Sequence, residues 1–277
     1  MTNNEKSPDR YALVGHPVEH SRSPLIHTVF ARQTGQRLTY ELIDAEPASF
    51  ETAVRGFGAA GGKGLNITVP HKQAAFALCK TLSEAAKVAG AVNTISIVAG
   101  GFSGHNTDGI GLIRDVTMNL RQVLAGKRIA VLGAGGAARG IIGPLLNEKP
   151  VELTIANRAK ERAEEVAAHF GNATLVPRGF EELGLLRPFD VVINATSAGL
   201  KGESSLPFPP LVVGPRSFCY DLVYGSTDTP FVAWAKTHGA ARAVHGWGML
   251  VEQAAESFAI WRGVRPDTKP LLKQAPR

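Results

Sequence analysis

Apolar residues along this chain follow two periods in turn. RYALV (10–14), LTYELID (38–44), GLNITV (64–69) and AVNTISIV (91–98) carry the alternation and β-branching of strands. Between them, residues 24–34, 47–57 and 71–88 space their apolar positions three and four apart, as one face of a helix does. Strands alternating with helices predict an α/β unit whose sheet is mostly parallel. A Gly-Gly turn at 100–101 leads into FSGHNTDG, where Thr107 or Asp108 is placed to cap a helix running to about 124. The alternation restarts at 128–132 and continues through 151–156, 189–193, 217–223 and 241–245, predicting a second, doubly wound unit. A final amphipathic helix at 247–262 is expected to return to the first unit. The predicted division is residues 1–108, completed by 247–277, and residues 109–246.

One strand end stands out within this pattern. In GLNITVPHK, Leu65, Ile67 and Val69 alternate, which sets Asn66 and Thr68 together on the opposite face. Pro70 stops the strand, and Lys72 falls at the start of a helix expected over 71–79, the end at which the helix dipole disfavours a cation. An amide, a hydroxyl and an ill-placed ammonium thus share one short arc.

RIAVLGAGGAARG is a strand, a glycine turn and a helix start, with Gly133, Gly135 and Ala138 in the G-x-G-x-x-G/A pattern of dinucleotide sites. Gly133 permits the tight turn, Gly135 lets backbone approach a pyrophosphate, and Ala138 allows helix to pack on strand. Pro144 is expected to kink this helix or end its first part. The next strand ends not in an acid for a ribose hydroxyl but in Asn157 and Arg158, with Arg162 one helical turn on. Two guanidinium groups suit a 2′-phosphate, so NADP is expected rather than NAD.

The net charge of +6 raises the question of an anionic partner, yet the basic residues are scattered among acids without interleaved aromatics. A small anionic ligand fits better than nucleic acid. Cys79 and Cys219 lie far apart in apolar surroundings, as thiols of a reducing compartment do. The polar opening MTNNEKSPDR and the lack of a long apolar run predict a cytoplasmic protein with no membrane partner. His16 and His20 have the spacing of a metal pair, but proline breaks HPVEHSRSP and no HExxH occurs, so no metal is expected. His71 and His105 adjoin the polar motifs and are read as satisfied structural histidines.

The polar motifs fall at strand ends, where open α/β sheets bind ligands. In order they run GHPVEHSRSP, NITVPHK, GAVNT, NTDG, GAGGAARG, NR, NATSAG, YDLVY and GMLVEQA, and with them the chain resembles the shikimate dehydrogenases of the shikimate/quinate dehydrogenase family over nearly its whole length. The resemblance implies reversible, NADPH-dependent reduction of 3-dehydroshikimate to shikimate in the route to aromatic amino acids, by a monomer or homodimer. It implies further that Ser21 and Ser23, helped by Tyr224, hold the substrate carboxylate, that Asn66, Thr68, Asn93 and Gln253 hold the ring hydroxyls, and that Lys72 and Asp108 flank the reacting oxygen. Gly133, Ala134, Gly135, Gly136, Ala137, Asn157, Arg158, Arg162, Leu222 and Gly246 are implied to contact NADP, with NATSAG (194–199) near its nicotinamide half.

Chemistry supports the pair beside the resemblance. Hydride delivery to a ketone leaves an alkoxide, which needs a proton donor or a cation within hydrogen-bond reach. Taken singly, the bland readings are stronger: Ser21, Ser23 and Asp108 are ordinary capping types, Lys72 a solvated lysine, Gln253 a polar position beside Leu250, Ala254, Phe258 and Trp261, and Tyr224 a strand end. Their joint occurrence decides otherwise. Ala159 stands where many relatives have a hydroxyl, and Gly225–Ser226 where many have Asn-Pro. The competing readings are a quinate/shikimate dehydrogenase of broader choice and a non-catalytic module sensing NADP or shikimate.

Overall fold

The computed structural model describes residues 7–196, 198 and 206–274. The chain divides into two compact units, one of residues 1–107 with 253–271 and the other of residues 108–252 with 272–277.

The first unit is built from β1 (Asp9–Gly15), α1 (Ser23–Thr34), β2 (Leu38–Asp44), α2 (Phe50–Ala59), β3 (Gly64–Ile67), α3 (Lys72–Leu78), β4 (Thr81–Leu82), α4 (Glu84–Ala89), β5 (Thr94–Val98) and β6 (Gly101–His105). Its sheet has the order β2-β1-β3-β5-β6-β4. β1 pairs in parallel with β2 and β3, and β4 with β6, whereas β5 runs antiparallel to both its neighbours. A core of Ala12, Val14, Val54, Phe57, Leu65, Ile67, Val92 and Ile95 fills one face of the sheet.

Several expectations change here. The strand predicted to Val69 ends at Ile67, and Val69 beyond it is 57% exposed. Asn66 is only 5% exposed, so β3 is covered on both faces rather than half-buried. The helix expected over 71–79 is α3, and the helical pattern over 71–88 divides after it, because Cys79 takes an extended conformation and Thr81–Leu82 join β6, after which the Ser83 hydroxyl caps α4 by accepting from Ala86 N–H at 3.2 Å. The strand predicted over 91–98 starts only at Thr94, and Gly101–His105, read as a turn and loop, is its antiparallel partner.

The second unit contains α5 (Asp108–Ile113), β7 (Arg128–Leu132), α6 (Gly136–Asn147), β8 (Glu152–Asn157), α7 (Lys160–Phe170), β9 (Leu175–Gly179), β10 (Val191–Asn194), β11 (Phe218–Asp221), α8 (Pro230–Thr237) and β12 (Arg242–His245). All its strand pairs are parallel, in the order β12-β11-β10-β7-β8-β9, the doubly wound arrangement expected from the sequence. Cores lie on both faces, one around Ile129, Val131, Ile155 and Ile193, the other around Ala130, Leu132, Val192 and Phe231. Burial on both faces explains why these strands read as continuous apolar runs. β9 escaped the sequence reading because Pro177 sits inside it, which an edge strand tolerates. The helix expected to reach 124 is α-helical only to Ile113 and continues as a π-helical stretch, Arg114–Asn119.

The division between units falls inside α9 (Trp247–Arg262), at Gln253, and a short α10 (Lys269–Leu272) follows. The latter part of α9 is tied to the sheet of the first unit. Trp261 Nε1 donates to the Ile95 carbonyl at 3.0 Å and its ring stacks on Tyr11 at 4.7 Å; Arg262 pairs with Asp9 and Gln36. Gly64 is required beneath it, since a Cβ there would lie 2.5 Å from Trp261 Nε1. Among the described residues no helix is long and apolar enough to cross a membrane.

Pro144 does not end α6, which runs through it to Asn147. The Gly140 carbonyl, denied its partner by the proline, faces Gly109 of α5, where a Cβ would lie 2.7 Å from that oxygen and 2.2 Å from Pro144 Cγ. Gly109→Ala should therefore overpack this contact and cost about 1 to 3 kcal/mol, read as a lowered midpoint in thermal denaturation; an unchanged midpoint would show that α5 shifts freely.

Candidate functional site

In the first unit, the polar residues singled out by sequence converge on a hydrogen-bonded cluster between β3, β5, the start of α1 and α9. Ser21 Oγ accepts from Ser23 N–H and donates to Ser23 Oγ, each at 3.2 Å, at the N-terminus of a 12-residue helix with no other side-chain cap. Helix amides and two hydroxyls together form a surrounding suited to a carboxylate. Ser23 also bonds Tyr40, whose hydroxyl donates to Asn66 Oδ1 at 2.8 Å. Asn66 Nδ2 in turn donates to the Asn93 carbonyl, Thr94 Oγ1 and Ser257 Oγ at 3.0 to 3.2 Å.

Asn93 lies beside it, 2% exposed. Its Oδ1 accepts from Thr107 N–H at 2.8 Å, and its Nδ2 donates to Thr107 Oγ1 at 2.9 Å and Gln253 Oε1 at 3.2 Å. Five of the predicted substrate residues, Ser21, Ser23, Asn66, Asn93 and Gln253, therefore belong to one continuous chain of hydrogen bonds. Thr68 lies just past the end of β3, part-buried. Four members of the cluster were not picked out by sequence as site residues: Tyr40, Thr94, Thr107 and Ser257. Ser257 had a readable signal, being four residues after Gln253 on the same helix face and polar among apolar neighbours.

Lys72 is the first residue of α3, part-buried, with no acid in the first turn. The preceding His71 is fixed by a 2.7 Å hydrogen bond to the Ala45 carbonyl and by stacking on Phe50 at 4.5 Å. Pinned on both sides, with its own carbonyl accepting from Val92 N–H at 2.9 Å, Lys72 is held where the helix dipole opposes its charge. His105 is shifted toward neutrality by burial, and His16 is instead held toward its charged form by an exposed contact with Asp44 at 2.6 Å. Burial raises the Cys79 thiol to about 11 and that of Cys219 to about 12, as befits inert thiols.

In the second unit, Asp108 opens α5 and is 4% exposed. The glycine turn has the geometry a dinucleotide needs. Gly133 has φ of 107°, and a Cβ there would lie 3.0 Å from the Ala195 carbonyl. Gly135 is extended and opens α6, which has no side-chain cap and no acid in its first turn, so its leading amides are unshielded. Nothing would meet a Cβ on Gly135 within 4 Å, which leaves room for phosphate, while Ala138 is fully buried against the sheet. At the end of β8, Asn157 Nδ2 donates to the Ala159 carbonyl at 2.9 Å, and Arg158 and Arg162 are exposed beside the equally uncapped start of α7. These residues fit NADP: two guanidinium groups and bare amides stand where an acid would have favoured a ribose hydroxyl. Gly246 packs on the backbone of Leu222, where a Cβ would lie 2.6 Å from its carbonyl oxygen. Tyr224 is part-buried, its ring 6.1 Å from that of Trp247. Of NATSAG, Ser197 and Gly199 lie outside the described residues.

Profiles of known families match three stretches: the shikimate dehydrogenase substrate binding domain over residues 13–95, shikimate / quinate 5-dehydrogenase over 116–201, and the shikimate 5′-dehydrogenase C-terminal domain over 246–275. The shikimate dehydrogenase (NADP(+)) of Alkalilimnicola ehrlichii is 54% identical over 265 residues, covering 95% of this chain and 97% of that protein. The chain belongs to the shikimate dehydrogenase family. Among solved members of this fold, an Ael1 enzyme from Pseudomonas putida matches with a TM-score of 0.86 and 43% identity, covering 97% of this chain and 99% of the other. Shikimate 5-dehydrogenase from Thermus thermophilus, solved in complex with NADP(H) and shikimate, matches with a TM-score of 0.83 and 33% identity, over 95% and 97% of the two chains.

One buried acid outside the predicted site residues ties several elements of the second unit together. Asp221, 2% exposed at the end of β11, accepts from Asn194 Nδ2 at 2.9 Å, from Val223 N–H at 3.1 Å and from the Thr229 hydroxyl that caps α8. It thereby joins the loops after β10 and β11 to a helix start. Burial raises its pKa to about 6 despite these donors. The folded state thus holds the Asp221 proton more tightly than the unfolded chain does, so this group costs stability as pH rises from about 4 through about 6 and the cost is constant above. Asp221→Asn lacks that dependence. Its stability relative to the parent chain should improve by on the order of 2 to 3 kcal/mol between pH 4 and pH 8, measured by urea unfolding at each pH; a difference flat with pH would contradict the assignment.

Proposed function

We propose that this chain is an NADP-dependent oxidoreductase that reversibly reduces 3-dehydroshikimate to shikimate on the route to aromatic amino acids. The observation that carries the reading is its full-length relationship to a shikimate dehydrogenase (NADP(+)) at 54% identity. The residues of both units agree with it in chemistry.

The substrate is a ring bearing a carboxylate and hydroxyls. Ser21 and Ser23, at the start of α1 and helped by Tyr224, hold the carboxylate. Asn66, Asn93 and Gln253, from the ordered cluster described above, and Thr68 just past β3 hold the ring hydroxyls. Gly133 to Ala137, Leu222 and Gly246 shape the cofactor site by close backbone approach, and Asn157, Arg158 and Arg162 take the 2′-phosphate. When bound, NADPH supplies the hydride. Lys72 then serves at the ketone oxygen, hydrogen-bonding it as negative charge develops and supplying or relaying the proton that completes the alcohol. Asp108 orients the hydroxyl in the reverse direction by accepting its hydrogen bond. The enzyme acts in the cytoplasm, as a monomer or homodimer, without a metal.

Purified protein mixed with shikimate and NADP should raise absorbance at the NADPH band, with NAD and quinate run in parallel. No turnover would favour a sensing module, and comparable rates with quinate would favour the broader dehydrogenase. Lys72→Ala should lower kcat by about 10²-fold or more while leaving NADP affinity nearly intact; full turnover would remove Lys72 from the mechanism. Arg158→Ala with Arg162→Ala should raise KM for NADP by roughly 10-fold or more and leave KM for NAD little changed, as loss of charge-assisted hydrogen bonds to a phosphate predicts. Equal effects on both cofactors would place the 2′-phosphate elsewhere.

A further inference from the structure

A side-chain amide is chemically two-faced, and the structure shows what decides which face each one turns. The N–H of Thr107 can only donate, so the group it meets at 2.8 Å, Asn93 Oδ1, is the carbonyl end of that side chain. Asn93 Nδ2 must then point the other way, to Thr107 Oγ1 and to Gln253 at 2.9 and 3.2 Å. Because Nδ2 donates, the end of Gln253 that faces it is Oε1, which also accepts from Thr107 Oγ1 at 3.3 Å. The Gln253 amide nitrogen is thereby turned away from this pair. Ser257, fully buried, closes the arrangement. Its hydroxyl donates to the Gln253 backbone carbonyl at 3.1 Å, accepts from Asn66 Nδ2 at 3.0 Å, and lies 2.8 Å from Thr94 Oγ1 and 3.2 Å from Thr107 Oγ1.

We infer that Thr107 and Ser257 are positioning residues that fix the donor and acceptor sense of Asn93 and Gln253, so that Gln253 offers an N–H donor to a substrate ring hydroxyl. The inference rests on the proposed shikimate reaction. The Thr107 backbone donor would survive any substitution, but its hydroxyl is the second group holding Asn93 Nδ2 and Gln253 Oε1 in register. Without it Asn93 Oδ1 is still held by Thr107 N–H and by the Thr94 hydroxyl at 2.9 Å, so the freedom gained falls on the Gln253 amide, which substrate must order on binding. That cost falls on ground-state and transition-state binding alike, so it appears in KM rather than in kcat. Neither residue touches the reacting oxygen in this scheme.

The test is steady-state kinetics on the full chain carrying Thr107→Val, which keeps the shape and removes the hydroxyl, beside Thr107→Ser, which keeps the hydroxyl and removes the methyl. Thr107→Val should raise KM for shikimate roughly 5- to 20-fold, with kcat within about 3-fold and KM for NADP unchanged. Thr107→Ser should restore KM, and Ser257→Ala should shift it in the same direction as Thr107→Val. The inference fails if Thr107→Val keeps the parent KM, if Thr107→Ser is as impaired as Thr107→Val, or if kcat falls instead of KM rising. Should Thr107→Val not fold, Ser257→Ala decides by the same criteria. A parent chain that turns over no shikimate refutes the reaction itself, and the inference with it, whereas an active parent with unaffected variants refutes the inference alone.

Discussion

A polar group withdrawn from water must find a partner or cost the fold dearly, and the first unit is organised around that constraint. Asn66, Asn93, Thr94, Thr107 and Ser257 are all buried, where the central strands meet α9. Each is satisfied by another of the set, by backbone or by Tyr40 and Gln253. A network of this kind is stable only when complete, which makes it rigid and gives its orientation a single solution. On the proposed function, groups preset in this way need little ordering when substrate arrives. The second unit meets the same constraint in the opposite manner: it leaves the amides at the start of α6 and α7 without caps, at the surface, where a phosphate can serve them.

The second unit was largely legible in the sequence because its strands are buried on both faces and its glycine turn carries a mechanism in its spacing. Gly133, Ala138 and Gly246 sit where backbone or helix comes too close for a larger residue. Where reading failed there, a competing principle was responsible. Pro177 disguised β9, which stands at a sheet edge, and Pro144 suggested a break that α6 avoids by turning its orphaned carbonyl toward Gly109. In the first unit, local pattern misled more often. The alternation through Val69 described a half-buried strand, yet the latter part of α9, distant in sequence, lies over β3 and buries Asn66 as well. Nothing near residue 66 announces that cover.

The candidate site was legible as a set of residues but not as a network. Motif resemblance named Asn66, Asn93 and Gln253, and the structure places all three in one hydrogen-bonded cluster. It passed over Thr107 and Ser257, which bond to those side chains and whose residue types are ordinary in a helix start or an amphipathic helix. Asp221 was hidden for the same reason: within FCYD it reads as the polar end of a strand, and only the fold reveals three donors closing on it.

The chain has three tryptophans, and their placement has an experimental consequence. Trp234 and Trp247 belong to the second unit, whereas Trp261, bonded through its indole nitrogen to a carbonyl of β5 and stacked on Tyr11, belongs to the first. Each half of the molecule thus carries its own native fluorophore. With Trp234 and Trp247 silenced, the emission of Trp261 becomes an optical gauge of whether the chain's last long helix is seated on its sheet.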